Sequence, residues 1–331
     1  MYRRTFLAMA LPAGATGVFA PALPLARAAG TAAWPDRAVR LVVSYAAGNV
    51  TDLLARIIAA DLQVRWQQSV IVENRPGQGG SIGAQLASKA APDGFTLLFS
   101  AVAALAINPH LYARVGYDPL RGFEPIVAVA RPQGMIYANI DLPARNFAEL
   151  LAYSRMRRGE LNYGSAGSGT VPHLNAELLK KATGLDATHV PYKAAVAVLS
   201  DVIGGRIHFA QESTAVVLPQ VLAGKIRPIA AASAGRIAQL PDVPAIGELV
   251  PGFDPVTPWL GVLAPAGTPG VLVEKIHRDI AAAMAEPDVR ERFAASGLDA
   301  MSTTPEQFAM LIFKDHQRLG RLVAELGLKV D

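Results

Sequence analysis

Apolar positions along this chain alternate between two rhythms. Short runs rich in β-branched residues, AVRLVVSY at 38–45, VIVEN at 70–74 and FTLLFS at 95–100, read as buried strands. Between the first two, Leu53, Leu54, Ile57, Ile58 and Leu62 recur at helical spacing, and residues 82–90 form a second helical stretch. The alternation returns further on. Helices are expected at 147–156, at 175–183 before Gly184, at 195–205 and at 215–224, with strands at 187–192, 207–211 and 226–233. Strands alternating with helices predict an α/β fold of parallel sheets with helices on their faces. After a proline-rich interval at 241–258 the pattern is helical over 271–285, 287–296 and 305–326, a tail expected to pack back on the first half.

Two glycine-bearing loops stand between a strand and a helix, YAAGNVTD at 45–52 and NYGSAGSGTVPH at 162–173. A phosphate-binding Walker loop requires Lys and Ser or Thr after its last glycine, whereas Gly169 is followed by Thr170 and Val171. A dinucleotide fingerprint requires a third glycine where Pro172 stands. Neither Ser165 nor Ser168 has the glycine frame of a nucleophile elbow. What remains is a helix start, whose first N–H groups lack intrahelical partners and attract anions. Ser165, Ser168 and Thr170 add hydroxyls, and Gly167 and Gly169 allow close backbone approach to a guest. Simple capping by Ser168 or Thr170, or by Thr51 or Asp52 in the first loop, is the plainer reading and is compatible with binding.

Composition narrows the function. The chain has 331 residues, 51% hydrophobic and 18% charged, which suits a compact core. Residues 1–28 place Arg3 and Arg4 before an uncharged stretch that ends in a small-x-small motif around Arg27, so a cleaved export signal and a periplasmic location are expected. Arg3 and Arg4, followed by Thr5, Phe6 and Leu7, resemble a twin-arginine signal with Tyr2 and Ala8 as departures, and the export route stays open. Removing this segment takes three positive charges from the formal +4 and leaves +1, which argues against nucleic acid as a partner. There is no cysteine for a disulfide, and the six histidines show no zinc-ligand spacing, so no metal and no cofactor are expected. Trp66 and Trp259 are expected to serve packing, and the basic run at 155–158 a solvated helix end.

The segments at 34–56, 70–100, 107–112, 161–184, 189–207, 218–233 and 259–269, taken together and in order, resemble the Bug family, periplasmic substrate-binding proteins of tripartite tricarboxylate transporters. The resemblance implies an α/β, two-lobed Venus-flytrap receptor of type II, each lobe a mixed sheet flanked by helices. Lobe I would comprise 34–131 plus 255–331 and lobe II 132–254. It implies a monomer that binds a small organic carboxylate, delivers it to membrane transporter subunits and catalyses nothing. The ligand residues carried over are Tyr45, Ala46, Ala47, Gly48, Asn49, Thr51 and Asp52 in the first loop. The second loop supplies Ser165, Ala166, Gly167, Ser168, Gly169, Thr170 and His173, with Ser100, Tyr192 and Glu212 further along. Asn49, Ala194, Ala195 and Glu212 depart from the family pattern and leave the ligand's identity open. Asn49 in particular is a residue that tolerates positive φ. Two alternatives remain: an exported serine hydrolase using Ser168 and His173, and a receptor that feeds a sensor kinase.

Overall fold

The computed structural model describes residues 34–233, 235–295 and 297–330, and the expected export signal lies outside them. In chain order the first part holds β1 (Val39–Val43), α1 (Val50–Trp66), β2 (Val70–Asn74), α2 (Ser81–Ser88), β3 (Thr96–Ala101), α3 (Asn108–Leu111) and β4 (Phe123–Pro132). A second series follows: β5 (Gly134–Asn139), α4 (Phe147–Met156), β6 (Asn162–Ser165), α5 (Val171–Thr183), β7 (Thr188–Pro191), α6 (Ala195–Ile203), β8 (Phe209–Ser213), α7 (Thr214–Leu222), β9 (Ile226–Ala231) and α8 (Ile246–Leu249). The chain ends with β10 (Leu260–Pro265), α9 (Gly270–Ala285), α10 (Pro287–Ala295), β11 (Leu298–Ala300) and α11 (Pro305–Leu326).

These strands form two sheets. One has the order β11-β4-β10-β3-β1-β2 and the other β7-β6-β8-β5-β9. The architecture is the expected α/β fold of two mixed sheets flanked by helices. The parallel pairing that strand and helix alternation predicts holds only in part: β10 runs antiparallel to both β3 and β4, and β5 antiparallel to β8 and β9. The reason is connectivity. β10 returns from the second series and inserts between β3 and β4 from the opposite direction, which no local pattern encodes.

Two junctions join the sheets. Between β4 and β5 a single residue, Gln133, makes the passage, and its carbonyl accepts the Thr214 N–H at 2.8 Å. The return through 250–259 is anchored by Asn175 of α5, whose amide donates to Val256 O at 3.2 Å and accepts from Val256 N at 2.7 Å. This reciprocal bond is buried, so breaking it would leave two polar groups dry. Sequence reading assigns no elements to 123–139, where two apolar runs, 126–130 and 135–138, are separated only by Arg131, Pro132, Gln133 and Gly134 and carry no clear turn between them.

Each sheet is covered on both faces. Leu54, Ile58 and Leu62 of α1 and Ile276 and Ile280 of α9 pack on one side of the first sheet, and Phe308, Ile312 and Leu319 of α11 lie on the other. Each such side chain contributes about 1.5–3 kcal/mol when fully buried. α11 begins as its sequence directs, with Thr304 accepting from Gln307 N and Gln307 reaching back to Thr304 N. Trp66 and Trp259 pack as expected, each donating its indole N–H to an acid, Asp279 and Asp315, at 2.7 and 2.9 Å.

Candidate functional site

The first loop closes on itself. Gly48 takes φ +78°, a left-handed value that favours glycine, and its N–H donates to Asp52 Oδ2 at 3.0 Å. The N-cap of α1 is Asn49 rather than Thr51 or Asp52, and its side chain accepts the Thr51 N–H at 3.0 Å. Its φ is −76°, so the positive φ allowed for in the sequence is absent. Burial by itself raises the Asp52 carboxyl, but hydrogen bonds from Arg56, Gly48 and Asn74 outweigh it and hold the group below its ordinary value.

The second loop is shaped from outside. His189 Nε2 lies 2.6 Å from Ser165 Oγ, which in turn donates to Gly167 O at 3.1 Å. Gly169 N–H donates to His173 Nδ1 at 3.3 Å, and the two imidazoles stack with centroids 4.2 Å apart. Burial, helped by His173, pushes His189 down to about 3, and burial lowers His173 as well. Both rings are therefore neutral near neutral pH, as Nδ1 accepting an amide requires. Thr170 is the N-cap of α5 without a side-chain cap bond, since its hydroxyl donates to Gly167 O at 2.8 Å.

Between the loops lies a cavity of about 70 Å³. A single water needs about 10–15 Å³ on that measure, so the space suits one small molecule. Tyr45, Asn49, Val50 and Thr51 line it from the first loop and α1, and Ala166, Thr170, Val171 and Pro172 from the second loop and α5. Gln211, Glu212 and Ser213 at the end of β8, with Gln133 and Gly134 at the junction, complete the polar wall. Among the described residues no Lys, Arg or His lines this cavity. The N–H groups of Val50 and Val171, the first residues of α1 and α5, have no hydrogen-bond partner among the described residues. Both helix starts therefore bring positive dipole ends and unused donors to the same small space.

Of the expected ligand residues, Tyr45, Asn49, Thr51, Ala166, Thr170 and Glu212 line this cavity. Ala46, Gly167, Ser168 and Tyr192 line an adjoining one of about 490 Å³ that shares Tyr45, Asn49 and Ala166. Ala47, Gly48, Asp52, Ser100, Ser165, Gly169 and His173 line neither. Most of these support the loops from behind, and Ser100 is buried with its Oγ 2.8 Å from that of Ser44. Gly169 is tightly packed: a Cβ there would fall 2.3 Å from Asn108 Oδ1. Its amide, like those of Gly48 and Gly167, is already engaged.

Sequence reasoning missed Val50, Val171, Gln133, Gln211 and Ser213. The first two were legible, because the position after an N-cap carries an amide without an intrahelical partner whatever its side chain. The others depend on how the two sheets meet.

The family model for the tripartite tricarboxylate transporter family receptor matches residues 54–328. The chain belongs to that family. BugT of Bordetella pertussis is 32% identical over 316 residues, 95% of this chain and 97% of its own length. The R. palustris protein Rpa4515, solved with adipate, superposes with a TM-score of 0.86 at 33% identity, covering 89% of this chain and 99% of that one. The periplasmic binding protein BugD superposes at 0.85 with 31% identity and coverage of 89% and 99%. The receptor fold of these Bug-type proteins is thus the fold of this chain. Among the described residues no helix is long and apolar enough to cross a membrane.

Proposed function

We propose that this tricarboxylate-transporter-family receptor captures one small organic carboxylate in the 70 Å³ cavity and, as an exported periplasmic protein, hands it to a membrane carrier. The observation that carries the reading is the pair of unpartnered helix-start amides at Val50 and Val171, two residues that line a cavity to which no described residue brings a basic side chain. Inside a protein an amide pair holds an anion more strongly than in water. Relatives support the chemistry, since Rpa4515 was solved with adipate. The two junctions, Gln133 and the 250–259 return, would serve as the hinge between lobe I, residues 34–131 plus 255–331, and lobe II, residues 132–254.

Capture without reaction is part of the proposal. The hydrolase alternative needs His173 to activate Ser168, yet His173 Nδ1 holds the Gly169 amide and Ser168 lies in the adjoining cavity. Thermal melting and calorimetry across mono- and dicarboxylates test the reading. A ligand present at a hundredfold its Kd should stabilise the fold by about 2.7 kcal/mol. A panel in which no carboxylate moves the melting temperature or gives binding heat would overturn it.

A further inference from the structure

α11 ends at Gly327, whose φ of +63° suits glycine and turns the chain back, with its N–H on Ala324 O and the Leu328 N–H on Val323 O. Beyond it Leu328 and Val330 are partly buried and Lys329 between them is exposed, the alternation of an extended segment. Val330 donates its N–H to Leu111 O at 3.0 Å and pairs in parallel with Tyr112. Tyr112 in turn donates its hydroxyl to Ser168 O at 2.9 Å. A short chain of contacts therefore runs from residue 330 through Tyr112 to the second glycine-bearing loop.

The helix that follows this loop is shared between two cores. Ala176 and Leu179 of α5 pack in the core of the second sheet, whereas Val171 and Leu174 pack in the core that contains Phe308 and Ile312 of α11. Leu328 and Val330 pack against that same core. The middle of α5 is tied by Asn175 to Val256, and its far end by Lys181 Nζ to Glu325 O at 3.1 Å. At its near end Ser168 meets Tyr112 and Gly169 packs against Asn108, so the loop and the first turn of α5 depend on what fixes those two residues.

We propose that residues 327–330 form a strap that positions the carboxylate site from behind: by holding Tyr112 they keep the second loop and the start of α5, with its Val171 amide, in place before a guest arrives. Leu328 and Val330 lie outside the lining of the 70 Å³ cavity and act through Tyr112. A loop already ordered in the empty protein loses less conformational freedom on binding, so releasing the strap lowers affinity without removing any contact to the guest. The effect on affinity rests on the carboxylate reading above, whereas the effect on the loop does not.

Val330→Pro deletes the amide hydrogen that reaches Leu111 O, and Leu328→Ala removes an apolar contact without altering the backbone. Both variants and the unaltered chain are compared by amide hydrogen exchange of the empty protein and by calorimetry with mono- and dicarboxylates. The expected result is exchange at least about fivefold faster over 166–171 and unchanged over 45–52, with carboxylate affinity about fivefold lower, as loss of one hydrogen bond allows. Tyr112→Phe added to Val330→Pro should change affinity little further, because both break one chain of contacts. Exchange that rises equally in the two loops or in neither, affinity left unchanged by both variants, or losses from Tyr112→Phe and Val330→Pro that multiply in full would each overturn the strap and leave the carboxylate reading intact. If no carboxylate binds the unaltered chain, that reading falls and the exchange pattern alone decides the strap. If Val330→Pro does not fold, Leu328→Ala decides by the same criteria.

Discussion

The loops before α1 and α5 perform the same task with opposite means. The first is organised by its own residues, Asn49 capping Thr51 and Asp52 holding Gly48, all within a stretch of a few positions. The second borrows its shape: His189 from β7 steadies Ser165, Tyr112 from the first half of the chain donates to Ser168 O at 2.9 Å, and Asn108 packs against Gly169. A self-capped loop can form as soon as its helix does. A borrowed one takes its shape only when the two sheets meet, which couples the second loop to the joining of the two sheets.

Breaking the borrowed contact should have the largest effect. Gly169→Val places a branched side chain against Asn108 at a residue with φ +82°, and steric overlap together with backbone strain should cost roughly 2–5 kcal/mol. Denaturant melts would show it, with ligand binding lost alongside. A small shift in midpoint with binding retained would mean that the two halves do not meet at this loop.

A middle-sized effect separates donors from shape. Val50→Pro and Val171→Pro each delete one amide hydrogen at a position where proline suits a helix, and the preceding residues already have extended φ and ψ. Each should weaken carboxylate binding by about 10- to 100-fold, the worth of a hydrogen bond to a charged group, while the melting temperature changes little. Calorimetry on both variants would show whether the loops contribute equally; a variant that binds unchanged removes its helix start from the site.

The smallest change refines the comparison. Tyr112→Phe removes only the bond to Ser168 O, worth about 1 kcal/mol, and should lower affinity by about fivefold because it loosens the second loop alone. Equal loss in a variant of the first loop's own contacts, measured side by side, would remove the distinction between the two.

Much of the frame was legible before any coordinates. α4 and α11 run where the apolar spacing places them, Gly184 closes α5 in a left-handed turn, and both glycine-bearing loops border the cavity. The site was legible only in part. Asn49 caps a helix instead of adopting positive φ, and Gly169 is packed against Asn108. Histidines that share no spacing in the chain, His173 and His189, become a stacked pair behind the loop.

What the amino acids determined alone are features whose partners lie within a turn or two: strand and helix periods, caps, and amide hydrogens unused at helix starts. Tertiary structure decided the antiparallel entry of β10, the passage at Gln133, and the burial of Glu212 at the end of β8. The physical reason is range. Hydrogen bonding along a helix or turn is set by neighbours in sequence, whereas burial and the loss of water around a charge depend on surfaces brought together from far along the chain.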